Sequence, residues 1–451
     1  MLQAINTELL IIGGSDAGIS AALRARELNK NIKITMILAD AYPNFSICGL
    51  PYALSGEVPD WHNLSHRTMA DLEAYDIDFW MNTLATEIKP DAHELIVKKD
   101  GLTYHFHYQK LMVGTGARPK KLPSDEGFKN LHYLHTMADY FSLEQQIIQG
   151  KLKKIAVVGA GYVGLEVAEA LSKRKITTHI YQRGECILKT IDADLAEPIQ
   201  KIYESNGVQV HLGEEFFAKD LAETFDFVLV AIGVIPNSEL LLRAGAEAGL
   251  GYTVKVNDQM QTTLTDVYAA GDLVETDHRL LGKVYQPLGT TSHKQGRVAG
   301  ANMLEQTVKF EGIIGTQVLR AFDKIIARTG LNKAELAHTD FKPVSITIEV
   351  DDHKAYMPNS KKMTIRLTAD EKSHQILGAQ IIGAYGTEVA KRVDIYASAI
   401  YNHMTVEQFS NLDLAYSPVV GAPWDAVQQA AQVLEEKLLI RSEKGIYSNN
   451  D

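Results

Sequence analysis

A chain of 451 residues exceeds what one hydrophobic core usually organises, so two or three domains are expected. Its 45% apolar and 22% charged residues are those of a folded protein and exclude disorder, and a formal charge of −11 disfavours nucleic acid or an anionic membrane as main partner. Two cysteines, Cys48 and Cys186, exclude a disulfide framework and point to a cytoplasmic location; neither sits in a Cys-x-x-Cys pair, so no metal site is expected.

Residues 9–14 form a short apolar run ending in Gly13-Gly14. It falls far below the roughly 20 residues of a bilayer span and is expected to be a first strand rather than a secretory signal. Residues 17–28, rich in Ala, Leu, Arg and Glu, predict a helix, and residues 32–38 a second strand. Between strand and helix, Gly13-Gly14-Ser15-Asp16-Ala17-Gly18 keeps the outer glycines of a dinucleotide turn, with Ser15 in the middle. Such a turn must bring backbone N–H groups close to a pyrophosphate at a helix N-terminus, and serine is small enough to be tolerated there. The alternative is a glycine-rich loop between ordinary elements. The second strand should end in an acid for a ribose hydroxyl, but that place falls on Leu38; Asp40 is the nominated substitute.

Asn44-Phe45-Ser46-Ile47-Cys48-Gly49-Leu50-Pro51-Tyr52 follows. At the start of a helix the Cys48 thiolate would be favoured by the helix dipole, Gly49 permits close backbone approach, and Pro51 suits a first turn. A lone cysteine is more often buried and inert; two neighbouring dinucleotide turns shift Cys48 toward redox chemistry, whereas Cys186 reads as structural or incidental. The alternation of His105 and His107 fits a strand better than a ligand set. Residues 111–116, 227–233 and 267–272 are further candidates for buried strands.

The strand–turn–helix–strand order returns over residues 154–159, 161–172 and 176–181, about 146 residues after the first. Each copy requires its own parallel sheet with helices on both faces. Gly159-Ala160-Gly161-Tyr162-Val163-Gly164 is a complete fingerprint, with Glu166 just inside the helix. Its strand-end position holds Gln182, then Arg183. Without an acid for the 2′-hydroxyl of NADH, and with a cation for a 2′-phosphate, the pair favours NADPH; Arg183 as a solvated surface charge is the alternative. From about residue 315 strand candidates 345–350, 363–367 and 376–382 precede a helix-like stretch, 387–403, which together read as a separate α+β domain.

Jointly these residues resemble the flavoprotein disulfide reductases with two dinucleotide domains, nearly end to end. Within them the chain is similar to the single-cysteine branch of coenzyme A disulfide reductase, NADH oxidase and NADH peroxidase. Cys48-Gly49-Leu50-Pro51-Tyr52 resembles that branch's redox-cysteine motif, and Thr115-Gly116-Ala117-Arg118-Pro119 the linker after its first FAD segment. Ala231-Ile232-Gly233-Val234-Ile235-Pro236-Asn237 resembles the turn closing its nicotinamide domain, and Thr265-Asp266-Val267-Tyr268-Ala269-Ala270-Gly271-Asp272 its second FAD motif. The resemblance implies an α/β fold with two Rossmann-like dinucleotide-binding domains and a C-terminal α+β dimerisation domain. FAD falls on residues 1–118 and 250–320, NAD(P)H on 119–249, and a homodimer contact on 321–451. It assigns Gly13, Gly18, Thr115, Gly116 and Asp272 to FAD. Gly159, Gly161, Gly164 and Gly233 go to the nicotinamide dinucleotide, with Glu166 near the flavin–nicotinamide junction.

Departures from the pattern narrow the expected activity. Peroxidase and oxidase members carry a histidine at the position of Asp16, so its absence disfavours a peroxidase. Coenzyme A disulfide reductases also lack it and use tyrosines of the partner subunit. His353-Lys354-Ala355-Tyr356-Met357-Pro358 and Asp413-Leu414-Ala415-Tyr416-Ser417-Pro418 resemble those two motifs. Ile47 stands where the coenzyme A enzymes commonly carry Asn, and Val419-Val420-Gly421 replaces a proline- and aromatic-rich stretch; both count against coenzyme A itself. The expected reaction is reduction of a low-molecular-weight disulfide, persulfide or polysulfide by NADPH or NADH through FAD and Cys48. Tyr416 and Tyr356 would protonate the leaving thiolate or steady Cys48. A lone redox cysteine has no internal dithiol, so the second sulfur must come from the substrate. Alternatives are an NAD(P)H oxidase reducing O2 through a Cys48 sulfenic acid, and a flavin redox sensor, against which the intact second fingerprint speaks.

Overall fold

In the computed structural model, residues 4–123, 127–214 and 216–448 are described, with side chains to residue 441. The chain divides into two compact units. One comprises Met1–Ile155, Phe217–Asp277 and Lys283–Gly312; the other Ala156–Phe216, His278–Gly282 and Ile313–Asp451.

The first unit is built on a five-stranded parallel sheet in the order Val267–Ala269, Lys110–Val113, Leu9–Ile12, Ile34–Ile37, Ile77–Trp80. Leu9, Leu10, Ile11 and Ile12 are all buried, because a parallel strand is covered on both faces and has no side for polar residues. Helix Asp16–Leu28 follows directly. A Cβ at Gly296 or Gly300 would strike the carbonyl of Ala17 or Ala21, so helix Gly289–Asn302 lies almost backbone to backbone on it. A second sheet joins Ile5–Asn6, Leu102–His107, Glu94–Lys99 and Leu84–Lys89, antiparallel except for the short first strand. His105 and His107 do lie on a strand, with His105 Nδ1 2.6 Å from the Glu94 carboxylate.

In the second unit, helix Tyr162–Lys173 follows the second glycine turn, and strand Thr177–Gln182 pairs in parallel with Gln209–Leu212. The boundary between the units falls within strand Lys154–Val158. The expected α+β region is a five-stranded antiparallel sheet ordered Gln317–Ala321, Lys324–Gly330, Ile376–Ala384, Lys362–Asp370, Pro343–Asp351. Val389–Tyr401, Val406–Ser410 and Ala426–Ser448 supply its helices. Ile365, Leu367, Ile381, Val393, Tyr396, Phe409, Val427 and Leu434 form one core there. Each such burial contributes about 1.5–3 kcal/mol against exposure. Among the described residues no helix is long and apolar enough to cross a membrane.

Candidate active site

The two glycine turns have one geometry. A Cβ at Gly18 would overlap the carbonyl oxygen of Gly13, and one at Gly164 that of Gly159, so each helix starts against the turn that precedes it. At Gly161 a Cβ would meet no atom within 4 Å. Ser15 holds the matching place as N-cap of helix Asp16–Leu28 and is exposed, so a serine is accommodated there.

Leu38, where an acid was expected, is 2% exposed and closes over Gly14; a Cβ on that glycine would collide with it. Asp40 is exposed, and its Oδ1 accepts the Tyr42 backbone N–H at 3.0 Å, forming an Asx turn. Asp16 meets a histidine supplied from elsewhere in the unit. His293 Nε2 lies 3.4 Å from Asp16 Oδ1, its Nδ1 is 2.8 Å from Ser20 Oγ, and its ring meets that of His66 edge-on at 6.3 Å.

The cysteine segment is tied to the first turn by the Asn44 N–H, which donates to the Gly14 carbonyl at 2.8 Å. Cys48 is exposed in the 3-10 turn Ile47–Gly49, ahead of helix Leu50–Leu54. That helix has only five residues, so a dipole contributes less than the sequence implied. Behind the segment, Tyr42, Phe45, Trp61 and Phe141 form an aromatic cluster, with Trp61 and Phe141 4.9 Å apart. Cys186 is half-buried.

Thr115 Oγ1 donates to the Asn237 carbonyl at 2.7 Å, and Asn237 Nδ2 returns a bond to the Thr115 carbonyl at 3.0 Å. Strands Ala117–Pro119 and Val234–Pro236 pair antiparallel beside them, and the Lys120 N–H donates to the Gly233 carbonyl at 2.9 Å. The two motifs that contain Gly116 and Gly233 are therefore one joint. Asp272 Oδ1 accepts from Ser292 Oγ at 3.1 Å. Burial pushes its carboxyl above the usual range, Ser292 partly offsets this, and the charge of Asp16 adds to it.

In the second turn, Gln182 Oε1 accepts the Ala160 N–H at 3.3 Å, so the strand-end side chain closes the turn. Arg183 is exposed, and Lys189 reaches within 3.1 Å (Cε) of a Cβ placed on Gly184. Lys189 was not singled out from the sequence; its spacing six residues after Arg183 carries no periodic signal. Burial raises the Tyr162 phenol, and the Glu166 charge contributes. In the C-terminal layer, Tyr356 and Tyr416 are both exposed, and each phenol feels the other. Partial desolvation, then Tyr356, raises the Tyr416 phenol.

These features fit a flavin dinucleotide. In the Gly13–Gly18 turn a Cβ at Gly13, Gly14 or Gly18 would collide with its surroundings, and Asp272 is a desolvated carboxylate suited to hydroxyl donors. Asn44 is 3% exposed, and its Nδ2 is a buried donor that no protein atom satisfies. A cofactor oxygen beside the first turn would supply its acceptor. The sequence shows Asn44 only as a motif letter; its backbone is left-handed, with a φ of 61°.

Two dinucleotide turns, an exposed cysteine tied to the first of them and an α+β C-terminal layer define a flavin- and pyridine-nucleotide-dependent redox protein. The profile of the pyridine nucleotide-disulphide oxidoreductases matches residues 7–296, and that of their dimerisation domain residues 321–426. The chain belongs to this family, as an FAD-dependent enzyme that uses NAD(P)H. It is 30% identical over 450 residues to an NADH oxidase of Methanocaldococcus jannaschii, covering 95% of this chain and 99% of the relative. It is 29% identical to an NAD(P)H sulfur oxidoreductase (CoA-dependent) of Pyrococcus abyssi, covering 96% and 99%. The structure of an NAD-dependent persulfide reductase from A. fulgidus superposes with a TM-score of 0.90 at 30% identity, covering 96% of this chain and 83% of that one.

Proposed function

We propose that the enzyme reduces a low-molecular-weight disulfide, persulfide or polysulfide with NAD(P)H, and that Cys48 is its redox-active sulfur. The supporting observation is the exposed Cys48 in a chain whose second cysteine, Cys186, lies in a different unit and a different turn. A single reactive thiol must take its sulfur partner from the substrate, and the relatives' names include sulfur and persulfide acceptors.

Bound FAD supplies the route by which two electrons from the nicotinamide reach sulfur. The protein's own part is positional. Gly13, Gly18, Asp40, Thr115, Gly116 and Asp272 hold the flavin nucleotide, Asn44 adding one donor. Gly159, Gly161, Gly164, Glu166 and Gly233 receive the nicotinamide nucleotide, with Arg183 and Lys189 selecting the 2′-phosphate of NADPH. Cys48 thiolate attacks one substrate sulfur and releases the other as a thiolate, leaving a mixed disulfide. Two electrons and a proton from NADPH, with one further proton, then release the second thiol and restore Cys48. The net reaction is RSSR + NADPH + H+ → 2 RSH + NADP+.

Tyr416, which retains its proton above the ordinary tyrosine range, is suited to protonate the leaving thiolate, with Tyr356 as its partner. We assign this pair to Cys48 of a second copy in a homodimer built through residues 321–451, with FAD on 1–118 and 250–320 and NAD(P)H on 119–249, in the cytoplasm. The oxidase name of one relative favours a second reading, O2 reduction through a Cys48 sulfenic acid. An NADPH-consumption screen over coenzyme A disulfide, glutathione disulfide, polysulfide, peroxide and O2 separates the two. Turnover with a sulfur acceptor under anaerobic conditions supports the reductase; consumption only with O2 overturns it.

A further inference from the structure

Tyr356 and Tyr416 are 71% and 45% exposed within one copy of the chain, so neither ring is enclosed by its own layer. What this chain itself supplies to hold them lies at the roots of their loops. Tyr356 sits in the connection between strands Pro343–Asp351 and Lys362–Asp370, and Tyr416 precedes the turn in which the Val420 and Gly421 N–H groups donate to the Ser417 carbonyl. One backbone bond joins the two segments, from the Lys354 N–H to the Pro418 carbonyl at 3.4 Å.

Beneath both roots lies a buried guanidinium. Arg392, in the first turn of helix Val389–Tyr401, is 5% exposed. Its Nε and Nη2 form a fork on Asp425, at 3.0 Å to Oδ1 and 2.8 Å to Oδ2. Nη2 also donates to the Asp352 carbonyl at 2.7 Å, four residues before Tyr356, and Nη1 to the Thr387 carbonyl at 2.7 Å. The Val420 carbonyl, four residues after Tyr416, is 3.5 Å from Nη2. Asp352 in turn gathers its own loop, its Oδ1 accepting the N–H groups of His353 at 3.0 Å and Lys361 at 2.8 Å. Asp425 stands immediately before helix Ala426–Ser448, and its Oδ1 accepts the Val427 N–H at 3.1 Å. A single planar fork thus ties two loops and two helix starts, a task that an ammonium point charge cannot perform.

We propose that Arg392 and Asp425 are positioning residues for the Tyr356–Tyr416 pair, fixing the loop roots from which these two exposed phenols project. The inference rests on the proposed catalytic role of those tyrosines.

The test compares Arg392→Lys and Asp425→Asn with Tyr416→Phe and Tyr356→Phe, and with the combined Arg392→Lys/Tyr416→Phe enzyme, all as FAD-loaded full-length protein. Arg392→Lys keeps a charge partner for Asp425, and Asp425→Asn keeps its shape, so a fold is retained where alanine would leave a buried charge unpaired. The expected result is wild-type FAD content and wild-type bleaching of the flavin by NADPH, with disulfide-dependent kcat about tenfold lower in both variants. The combined enzyme should be no slower than Tyr416→Phe alone, because a misplaced phenol and a missing one fail in the same way. Full disulfide turnover in both folded positioning variants overturns the inference while leaving the tyrosine role intact. So does a loss that adds fully to that of Tyr416→Phe, which marks the fork as a general scaffold. If Tyr416→Phe and Tyr356→Phe themselves turn over disulfide at the wild-type rate, the tyrosine role fails, and the inference with it.

Discussion

Replacing Arg183 by alanine separates cofactor recognition from fold more cleanly than any other single change. The side chain is exposed at the end of strand Thr177–Gln182, and among the described residues no hydrogen bond or ion pair engages its guanidinium. Its removal should therefore leave stability within about 0.5 kcal/mol. Toward a 2′-phosphate it offers a charge-assisted hydrogen bond, worth about 1.5–3 kcal/mol when shielded and less at an exposed site. A working value of about 1.4 kcal/mol corresponds to a tenfold change in affinity. Gln182, whose Oε1 is engaged by the Ala160 N–H, offers a phosphate only an uncharged Nε2 donor and does not replace the guanidinium. Lys189, close over Gly184, retains part of the attraction. Stopped-flow flavin bleaching at varied NADPH and NADH should show half-saturation for NADPH raised about tenfold, NADH changed by less than about twofold, and limiting rates unaltered, the signature of lost uniform binding. Arg183→Ala/Lys189→Ala should weaken NADPH further, and rising salt should erode the wild-type preference. Equal effects on both nucleotides, or none, refute the reasoning.

Gly164→Ala forces a Cβ onto the Gly159 carbonyl oxygen; overpacking of about 1–3 kcal/mol should weaken NADPH and NADH alike while FAD, held at the first turn, stays bound. Asp272 has a folded-state carboxyl raised by burial, so its destabilising contribution is absent below the unfolded value and complete once pH exceeds the folded one. Asp272→Asn should accordingly raise the melting temperature of the FAD-free protein at neutral pH, not in acid, while FAD is retained more weakly in dialysis. If Tyr416 is the proton donor, disulfide turnover should hold into the alkaline range and fall only above the ordinary tyrosine value of about 10, and Tyr416→Phe should remove that limb from the pH–kcat profile.

Local chemistry explains which features the sequence disclosed. Runs such as residues 9–12 and 227–230 are apolar at every position because parallel strands are covered on both faces, and glycines follow each of them, so strand, turn and helix were readable within a residue or two. Of the sheet of Leu84–Lys89, Glu94–Lys99 and Leu102–His107, only the strand carrying His105 and His107 was anticipated, because the strands of this sheet mix buried and exposed positions. Leu38 read as a missing acid; the structure shows an apolar cap on Gly14, a role set by a contact 24 positions away. Asp16 likewise read as a lost histidine, yet His293 reaches it from another helix. Pairings of this range, like the Arg392–Asp425 fork, have no local spacing to betray them.

The central claim is that Cys48 stores two electrons. Enzyme oxidised with disulfide, desalted and titrated anaerobically with NADPH should consume two equivalents per FAD, one for the flavin and one for the Cys48 mixed disulfide, whereas Cys48→Ser should consume one. Identical stoichiometry in both proteins would contradict the account.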